Sequence, residues 1–245
     1  TYEVVKKMVE NHPEDEFFFF FDRPFDEAFV FEKNVTPIVL HPPARHPFLF
    51  LIWFESSVAS ALKKHKIDVF LSPDNFLTLR TTIPTVLITH DIAHFHFPEQ
   101  VKFFDLKYYQ YFIPKFHKKA TRIVTVSNYT KQDIIKYYGI DSEKIDVACN
   151  GCREIFKPIN DSEKEEIRNK YSNGQEYFFY VGAIQPRKNV HRLIEAFNHF
   201  KSKTNSKLKL LLGGRFAWKT GEVKTAFENS NYQNDIVFLS YLSEE

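Results

Sequence analysis

Nine short apolar runs alternate with stretches of helical periodicity along the chain, and this alternation restricts the fold more than any other feature. The runs are rich in Phe, Val, Ile and Leu, and they are continuous. Continuous apolar strands that alternate with helices are typical of parallel sheets covered on both faces. The chain is therefore predicted to be an α/β protein with parallel sheets. The predicted strands are Glu16–Asp22, Thr36–His41, Asp68–Ser72, Pro84–Asp91, Arg122–Ser127, Lys144–Cys149, 176–182, 207–213 and 235–240.

Between these strands, the 3.6-residue periodicity predicts seven helices. Thr130 followed by Asp133 three residues later indicates a helix start of the capping-box kind, with Asp in the place of the usual Glu. The predicted helices are Tyr2–Asn11, Phe48–His65, Val101–Lys119, Thr130–Tyr138, Ser162–Tyr171, Val190–Ser202 and Gly221–Asn229.

One segment, Arg153–Glu166, interrupts the rhythm of strands and helices. It holds a proline, an Asn-Asp pair and a run of charges, which is typical of a linker. We therefore predict two α/β domains, residues 1–153 and residues 154–245. Neither has the usual limits of such a domain, since the first opens on a helix and the second stops after three predicted strands, in "FLSYLSEE".

Charge and apolar content exclude several classes of function. Lys and Arg number 33 against 31 Asp and Glu, so the overall charge gives no reason to expect a nucleic-acid partner. The longest apolar run, Pro47–Phe54, is too short to cross a bilayer. No leader opens the chain, and two cysteines without a framework fit a reducing compartment, so a cytoplasmic location is expected.

The stretch "YVGAIQPRKNV" contains the first candidate binding site. Gly182 ends a predicted strand, Asn189 is placed to cap the next helix, and Arg187 and Lys188 lie between them. Backbone N–H groups at a helix start, together with two cations, suit a diphosphate. By pattern alone, a tight turn with solvated cations is the simpler interpretation, and both stay open at this point.

A second candidate site lies in "LITHDIAHFHFPE". His90 and Asp91 end a predicted buried strand, where open α/β sheets bind ligands, and a histidine there can handle a proton. The cluster of His90, Asp91, His94 and His96 also raises the alternative of a metal-dependent hydrolase. The spacing fits no common zinc pattern, so His94 and His96 are interpreted as ordinary loop residues.

Two further patterns are assigned structural roles. Cys149 and Cys152 form a C-x-x-C that ends a strand rather than opening a helix, which favours packing plus a turn at Asn150-Gly151 over redox chemistry. The segment 47–65 is apolar at its start and basic at its end. A helix on a membrane surface would have this pattern, and so would a core helix whose C-terminal end reaches the surface of the protein. We favour the core helix.

Taken in order, several segments resemble one family, the retaining family-4 glycosyltransferases with the GT-B fold. "THDIAHFHFPE" is similar to that family's H-D-x-x-x-x-x-x-P-E segment. The run from Arg122 to Pro158 resembles its late N-domain strand and hinge. "YVGAIQPRKNVHRLIEAFNHFK" resembles its first C-domain strand and helix, and "LLLGGRFAW" resembles the next strand and loop.

The resemblance implies a GT-B architecture of two Rossmann-like domains that face each other across a cleft, the second incomplete. It implies that Arg187 and Lys188 hold the donor diphosphate and that the backbone approaches it at Gly182. His90 falls where the family has a catalytic histidine near the transferred sugar. The cleft-lining residues that it implies more weakly are Asp91, Ser127 and Asn150.

The activity implied is hexosyl transfer, with retention, from a nucleotide-diphosphate sugar to an acceptor hydroxyl. The setting implied is polysaccharide or lipid-linked glycan synthesis, with a glycan or lipid-linked acceptor and a peripheral contact with the inner face of a membrane. No metal or other cofactor is expected, and P-R-K-N leans towards mannose donors. A non-catalytic module that binds sugar nucleotides or glycans is the alternative outside the enzymes.

This sequence departs from the family pattern at three places. Ala183 stands where an Arg often follows the strand-ending glycine, so one diphosphate cation is expected to be missing. The first strand with its glycine-rich loop, and the acidic E-x7-E region, have no counterpart in these 245 residues. We therefore expect this length of chain alone to lack transferase activity.

Overall fold

A computed structural model of the chain describes residues 2–217, 219–240 and 242. Trp218 in "LLLGGRFAW", and residues 241 and 243–245 in "FLSYLSEE", lie outside the described residues. The chain divides into two compact units, Thr1–Arg153 and Glu154–Glu245. Every strand pairing among the described residues is parallel.

All nine predicted strands are present in the described residues, each shorter than predicted by one to three residues. The trimmed positions are mostly polar residues or those next to Pro, which leave the ladder for the adjoining loops. The strands are β1 (Phe17–Phe21), β2 (Val35–Val39), β3 (Phe70–Ser72), β4 (Thr85–Thr89), β5 (Arg122–Thr125), β6 (Ile145–Val147), β7 (Tyr177–Val181), β8 (Lys209–Gly213) and β9 (Ile236–Leu239).

The helices follow the predicted order, with additions and corrections at their ends. The segment 47–65 forms α2 and α3 joined by a π-helical stretch, Trp53–Val58, whose side chains contribute to the core. The helices are α1 (Tyr2–Asn11), α2 (Pro47–Ile52), α3 (Ala59–Lys64), α4 (Ala93–His96), α5 (Phe103–Lys119), α6 (Asn128–Tyr138), α7 (Asp161–Ser172), α8 (Val190–Thr204) and α9 (Gly221–Glu228).

Four predicted helix starts are wrong: α2 begins one residue earlier and α5 two residues later than predicted, and the starts of α6 and α7 differ because of their caps. Helix α6 begins at Asn128, because the Ser127 hydroxyl accepts from the Thr130 N–H and so caps the helix two residues earlier than predicted. Helix α7 begins at Asp161, inside the segment that was predicted to be a linker. Asn160 and Glu163 form a reciprocal capping box there, so the linker ends at Asn160.

Unit 1 contains two sheets, β1–β2 and β3–β4–β5–β6 in that order. One core lies beneath the four-stranded sheet and includes Leu87, Ile123 and Phe116. A second core forms around the segment from α2 to α3, where Trp53, Phe54 and Leu62 are buried. The interpretation of this segment as a core helix is therefore confirmed.

The described residues of unit 2 form one sheet in the order β7–β8–β9, packed on α8 and α9. Strand β8 is buried, as a central strand should be. Strand β7 is an edge strand, and its Phe178, Phe179 and Val181 are exposed. The prediction that the sheets are covered on both faces is therefore wrong for β7.

Candidate functional site

In unit 1, polar residues follow the C-terminal ends of four neighbouring strands. Because parallel strands all end at the same side of their sheet, the residues after β3, β4, β5 and β6 lie along one edge. We call this the unit 1 edge. It brings together the predicted His90, Asp91, Ser127 and Asn150, and it adds the loop Pro73–Asn75, which follows β3.

His90 is half-buried at the unit 1 edge and is held at two atoms. Its ring atom Nε2 lies 3.2 Å from the carbonyl oxygen of Pro73. Its own carbonyl oxygen accepts a hydrogen bond from the Thr130 hydroxyl at 3.2 Å. The loop of the neighbouring strand thus holds the His90 ring, and helix α6 holds the His90 backbone.

Ser127 and Thr130 connect helix α6 to His90. The Ser127 hydroxyl lies 3.0 Å from the Thr130 hydroxyl and accepts from the Thr130 backbone N–H at 3.1 Å. Thr130 in turn donates to His90. Sequence reasoning had assigned Thr130 only to a helix start, because nothing in the local pattern indicates a partner 40 residues away.

Asp91 and Asn150 are both exposed at the same edge. The Asp91 carboxylate accepts from the Ala93 backbone N–H at 2.9 Å, at the start of α4. Cys149 and Cys152 flank Asn150, and both are exposed free cysteines. The prediction that these cysteines are packed is therefore wrong, because strand β6 ends at Val147 and leaves the C-x-x-C in an open loop.

His94 and His96 are not loop residues, since both lie in the short helix α4. His94 is buried, its Nε2 lies 3.1 Å from the Tyr138 hydroxyl, and burial lowers its pKa below the ordinary value. His96 Nε2 lies 2.6 Å from an Asp133 carboxylate oxygen, so Asp133 serves as a partner for His96 rather than as a capping residue.

The four residues of the proposed hydrolase site, His90, Asp91, His94 and His96, are directed at four different protein groups and do not converge. Within the described residues, the atoms of three potential metal ligands come within 4.8 Å of one another only at His12, Glu14 and Asp15, all exposed. The arrangement of residues does not favour the metal-dependent hydrolase.

In unit 2, glycines let two strand ends approach each other closely. The Gly182 N–H donates to the Gly213 carbonyl at 2.9 Å, and the next residue, Gly214, has φ +136°. A Cβ at Gly214 would lie 2.0 Å from the Gly182 carbonyl oxygen. Gly214 therefore has to be glycine for the backbone at Gly182 to take its position.

The predicted cations Arg187 and Lys188 are exposed in a 3-10 turn, Pro186–Lys188, directly before α8. Asn189 has φ +54° and its side chain makes no capping hydrogen bond, so the prediction that it caps α8 is wrong. A left-handed backbone turns the Asn189 side chain away from the first turn of the helix. The N-terminus of α8 thus follows two cations and lacks a side-chain cap.

Arg215 is a third cation near these strand ends of unit 2, and sequence reasoning missed it. Its carbonyl oxygen accepts from the Ile184 N–H at 3.0 Å, which places it beside the chain segment that follows Gly182. The side chain is exposed. The sequence does contain a signal for Arg215, because it directly follows Gly213 and Gly214 at the end of a strand. Neighbouring parallel strands end at the same side of a sheet, so a cation after β8 is expected near the residues that follow β7.

A cavity of about 330 Å³ in unit 2 lies elsewhere. None of the predicted site residues lines it. The residues that line it are Ile159, Lys164, Ile167, Arg168, Glu176, Tyr177 and Leu208, of which Arg168 and Glu176 form an ion pair at 3.2 Å.

Comparison with known proteins assigns both units. Residues 2–153 match the model of the family described as Glycosyltransferase Family 4, and residues 161–245 match that of Glycosyl transferases group 1. The chain belongs to glycosyltransferase family 4. The resemblance that was inferred from the motifs is therefore confirmed.

Two curated relatives are O-antigen mannosyltransferases. O-antigen chain mannosyltransferase B of Escherichia coli is 26% identical over 188 residues, which are 76% of this chain and 49% of the relative. O-antigen chain mannosyltransferase RfbU of Salmonella typhimurium is 30% identical over 149 residues, 59% of this chain and 38% of the relative. The chain thus spans about half or less of the curated relatives that it matches.

Two solved structures have the same fold at low identity. WaaG, a glycosyltransferase involved in lipopolysaccharide biosynthesis, has a TM-score of 0.69 at 15% identity, with 97% of this chain and 65% of that chain covered. Anabaena Alr3699/HepE in complex with UDP-glucose has a TM-score of 0.68 at 16% identity, covering 92% and 61%. The predicted α/β fold of the GT-B type is confirmed.

Proposed function

We propose that the protein transfers a hexose from a nucleotide-diphosphate sugar to an acceptor hydroxyl, with retention of anomeric configuration. The observation that carries this proposal is that family models of glycosyltransferases match both units, over residues 2–153 and 161–245. The binding of UDP-glucose by the similar Alr3699/HepE supports a nucleotide sugar as the donor.

Unit 2 is proposed to bind the diphosphate of the donor. The cations Arg187 and Lys188 and the N-terminus of α8 supply positive potential, and the backbone at Gly182 supplies close approach. When the bond between sugar and phosphate breaks, charge develops on the leaving diphosphate, and these groups would stabilise it. No metal or cofactor is part of the proposal.

Unit 1 is proposed to contribute the catalytic residue His90. Its ring is held by the Pro73 carbonyl and its backbone by Thr130, and a group that meets the reacting sugar or the acceptor hydroxyl has to be held in position. Asp91, Ser127 and Asn150 share the unit 1 edge with it and are proposed to line the site, Ser127 through the helix cap that supports Thr130.

The donor sugar is proposed to be mannose, and the product a polysaccharide or a lipid-linked glycan. The two curated relatives support this choice, because both are named as O-antigen mannosyltransferases. The motif P-R-K-N at Pro186–Asn189 points in the same direction.

The test measures binding and transfer together. Calorimetric titrations with GDP, UDP and orthophosphate should show a saturable site for one diphosphate and much weaker binding of orthophosphate. The whole protein, incubated with the matching labelled mannose donor and a lipid-linked acceptor, should release the diphosphate and label the acceptor. Binding without transfer would instead support the non-catalytic module, and absence of both would overturn the proposal.

A peripheral contact with the inner face of a membrane is proposed through an exposed stripe of α5. The α5 stripe consists of Phe103 and Phe104, which are 66% and 72% exposed, with Lys107, Tyr111 and Lys118 on the following turns. Exposed aromatic rings with interleaved lysines suit an anionic bilayer surface. No helix of the described residues is long and apolar enough to cross a membrane.

Sedimentation with vesicles tests the α5 stripe. Vesicles that contain an anionic lipid should bind the protein, and replacing Phe103 and Phe104 together by Ser should reduce binding at least fivefold. Phe48→Ser is the matched control, because Phe48 is 63% exposed at the start of α2, outside the stripe. Equal binding to zwitterionic vesicles, or equal losses in both variants, would contradict the assignment.

A further inference from the structure

The loop that follows β3 contacts His90 and its neighbour Asp91 at two points. The Asn75 side-chain Nδ2 donates to the Asp91 carbonyl oxygen at 2.9 Å. The Pro73 carbonyl oxygen lies 3.2 Å from His90 Nε2. Since Thr130 donates to the His90 carbonyl, both consecutive carbonyl groups at the end of β4 are held by side chains from other elements.

The contact with Pro73 determines which nitrogen of His90 carries a proton. A backbone carbonyl can only accept a hydrogen bond, so Nε2 has to be the donor. A neutral imidazole has one N–H, and therefore Nδ1 is left without a proton and can accept one. The contact thus selects one tautomer of the neutral ring.

Asn75 is held at this position at some cost to stability. Its Oδ1 is buried and has no hydrogen-bond partner among the described residues. An unpaired buried acceptor destabilises a fold, and an apolar side chain of similar size would avoid that penalty. The side chain is oriented with Nδ2 towards Asp91, because the carbonyl there requires a donor.

We propose that Asn75 is a positioning residue that, together with the Pro73 carbonyl, holds His90 in its Nε2–H tautomer and presents Nδ1 as a hydrogen-bond acceptor at the unit 1 edge. Asn75 fixes the peptide after His90, and this keeps the ring within reach of Pro73. Asn75 acts through His90 and does not itself touch the reacting groups. The inference rests on the proposed function only in giving His90 a catalytic role.

The experiment is nitrogen-15 NMR of the histidine side chains at about pH 8.5, where an ordinary imidazole is neutral. His90→Gln identifies the His90 signals by their loss. In the unaltered protein, neutral His90 should show protonated Nε2 and unprotonated Nδ1. This measurement needs no turnover, so its result is independent of whether transfer is ever detected.

Asn75→Leu removes the donor without adding charge and should convert His90 into a mixture of tautomers. In the whole protein, kcat should fall at least tenfold while KM changes less than twofold. Asn34→Leu is the matched control, since Asn34 is also half-buried and its Nδ2 donates to the carbonyls of His12 and Asp15. The control should leave the His90 tautomer and kcat unchanged.

Two results would overturn the inference. One is an Nδ1–H tautomer of His90 in the unaltered protein, which decides the matter even if Asn75→Leu does not fold. The other is a folded Asn75→Leu protein that retains the Nε2–H tautomer. If the Nε2–H tautomer is present in the unaltered protein and is lost in Asn75→Leu, but no form of the protein shows transfer activity, the result would count against the proposed function and leave the positioning intact.

Discussion

The two units place polar groups at the ends of parallel strands in different ways. At the unit 1 edge, His90 is held by hydrogen bonds from neighbouring elements, through Pro73 and Thr130. In unit 2, the backbone conformation at Gly214 allows the backbone at Gly182 to take its position, and the cations Arg187 and Lys188 are exposed. The difference suits the two proposed tasks, because a catalytic side chain needs a fixed atom, whereas a diphosphate can be attracted by exposed charges.

The largest effect is expected from Gly214→Ala. The new Cβ would clash with the Gly182 carbonyl oxygen, at 2.0 Å, and the residue would also have to keep φ at +136°. We expect a loss of more than about 3 kcal/mol in the stability of unit 2, together with loss of diphosphate binding. Urea unfolding, followed by hydrogen exchange in each unit, measures the change.

Gly221→Ala is the control for this substitution. Gly221 begins helix α9, and nothing lies within 4 Å of a Cβ built there. The stability of the Gly221→Ala protein should stay the same or rise by about 0.4–1 kcal/mol, because alanine restricts the conformations of the unfolded chain. Tolerance of alanine at Gly214 would show that the backbone at Gly182 can take its position without a glycine at Gly214.

A smaller effect is expected from Lys188→Ala. If unit 2 binds a diphosphate through charge, this change should weaken nucleoside-diphosphate binding by roughly 1.5–3 kcal/mol, the range for a hydrogen bond to a charged group. Lys203→Ala is the matched control, since Lys203 is exposed in the last turn of the same helix that Lys188 precedes. Equal losses in both variants, measured by calorimetry, would indicate diffuse attraction rather than a site.

The third prediction concerns the stability of unit 1 at acidic pH. His117 is fully buried, with Nδ1 bonded to the Ile113 carbonyl at 2.8 Å and Nε2 to the Thr89 hydroxyl at 2.9 Å. Burial lowers its pKa from 6.5 to about 4. The unfolded chain therefore binds a proton between these values while the folded chain does not, so stability is complete above about pH 6.5 and falls as the pH drops towards 4.

Between pH 7 and pH 5, His117 should lower the free energy of unfolding by about 2 kcal/mol. Urea titrations at the two pH values measure this difference. His117→Leu should reduce the pH dependence of unit 1, although it leaves the Thr89 hydroxyl unpaired and lowers stability at both values. An unchanged pH dependence in that variant would show that His117 does not titrate as its burial requires.

The elements of the fold were largely predictable from the sequence, because apolar runs and helical periodicity are local properties. The residues at which the helices begin were less predictable. Between Ser127 and Thr130, three polar residues could each have capped a helix, and in the structure Ser127, the first of them, is the cap. At Asn160 the capping box was readable, yet the proline and charges around it gave a stronger signal for a linker.

By itself, the sequence determined the nine strands, the alternation that makes their sheets parallel, and the motifs that identify the family. Only the tertiary structure decided that Thr130, Pro73 and Asn75 surround His90 and Asp91, that Arg215 lies beside the segment after Gly182, and that His94 and His96 turn to separate partners. These contacts join residues from 16 to 44 positions apart. Strand order sets which loops meet at an edge, and no local pattern contains that order.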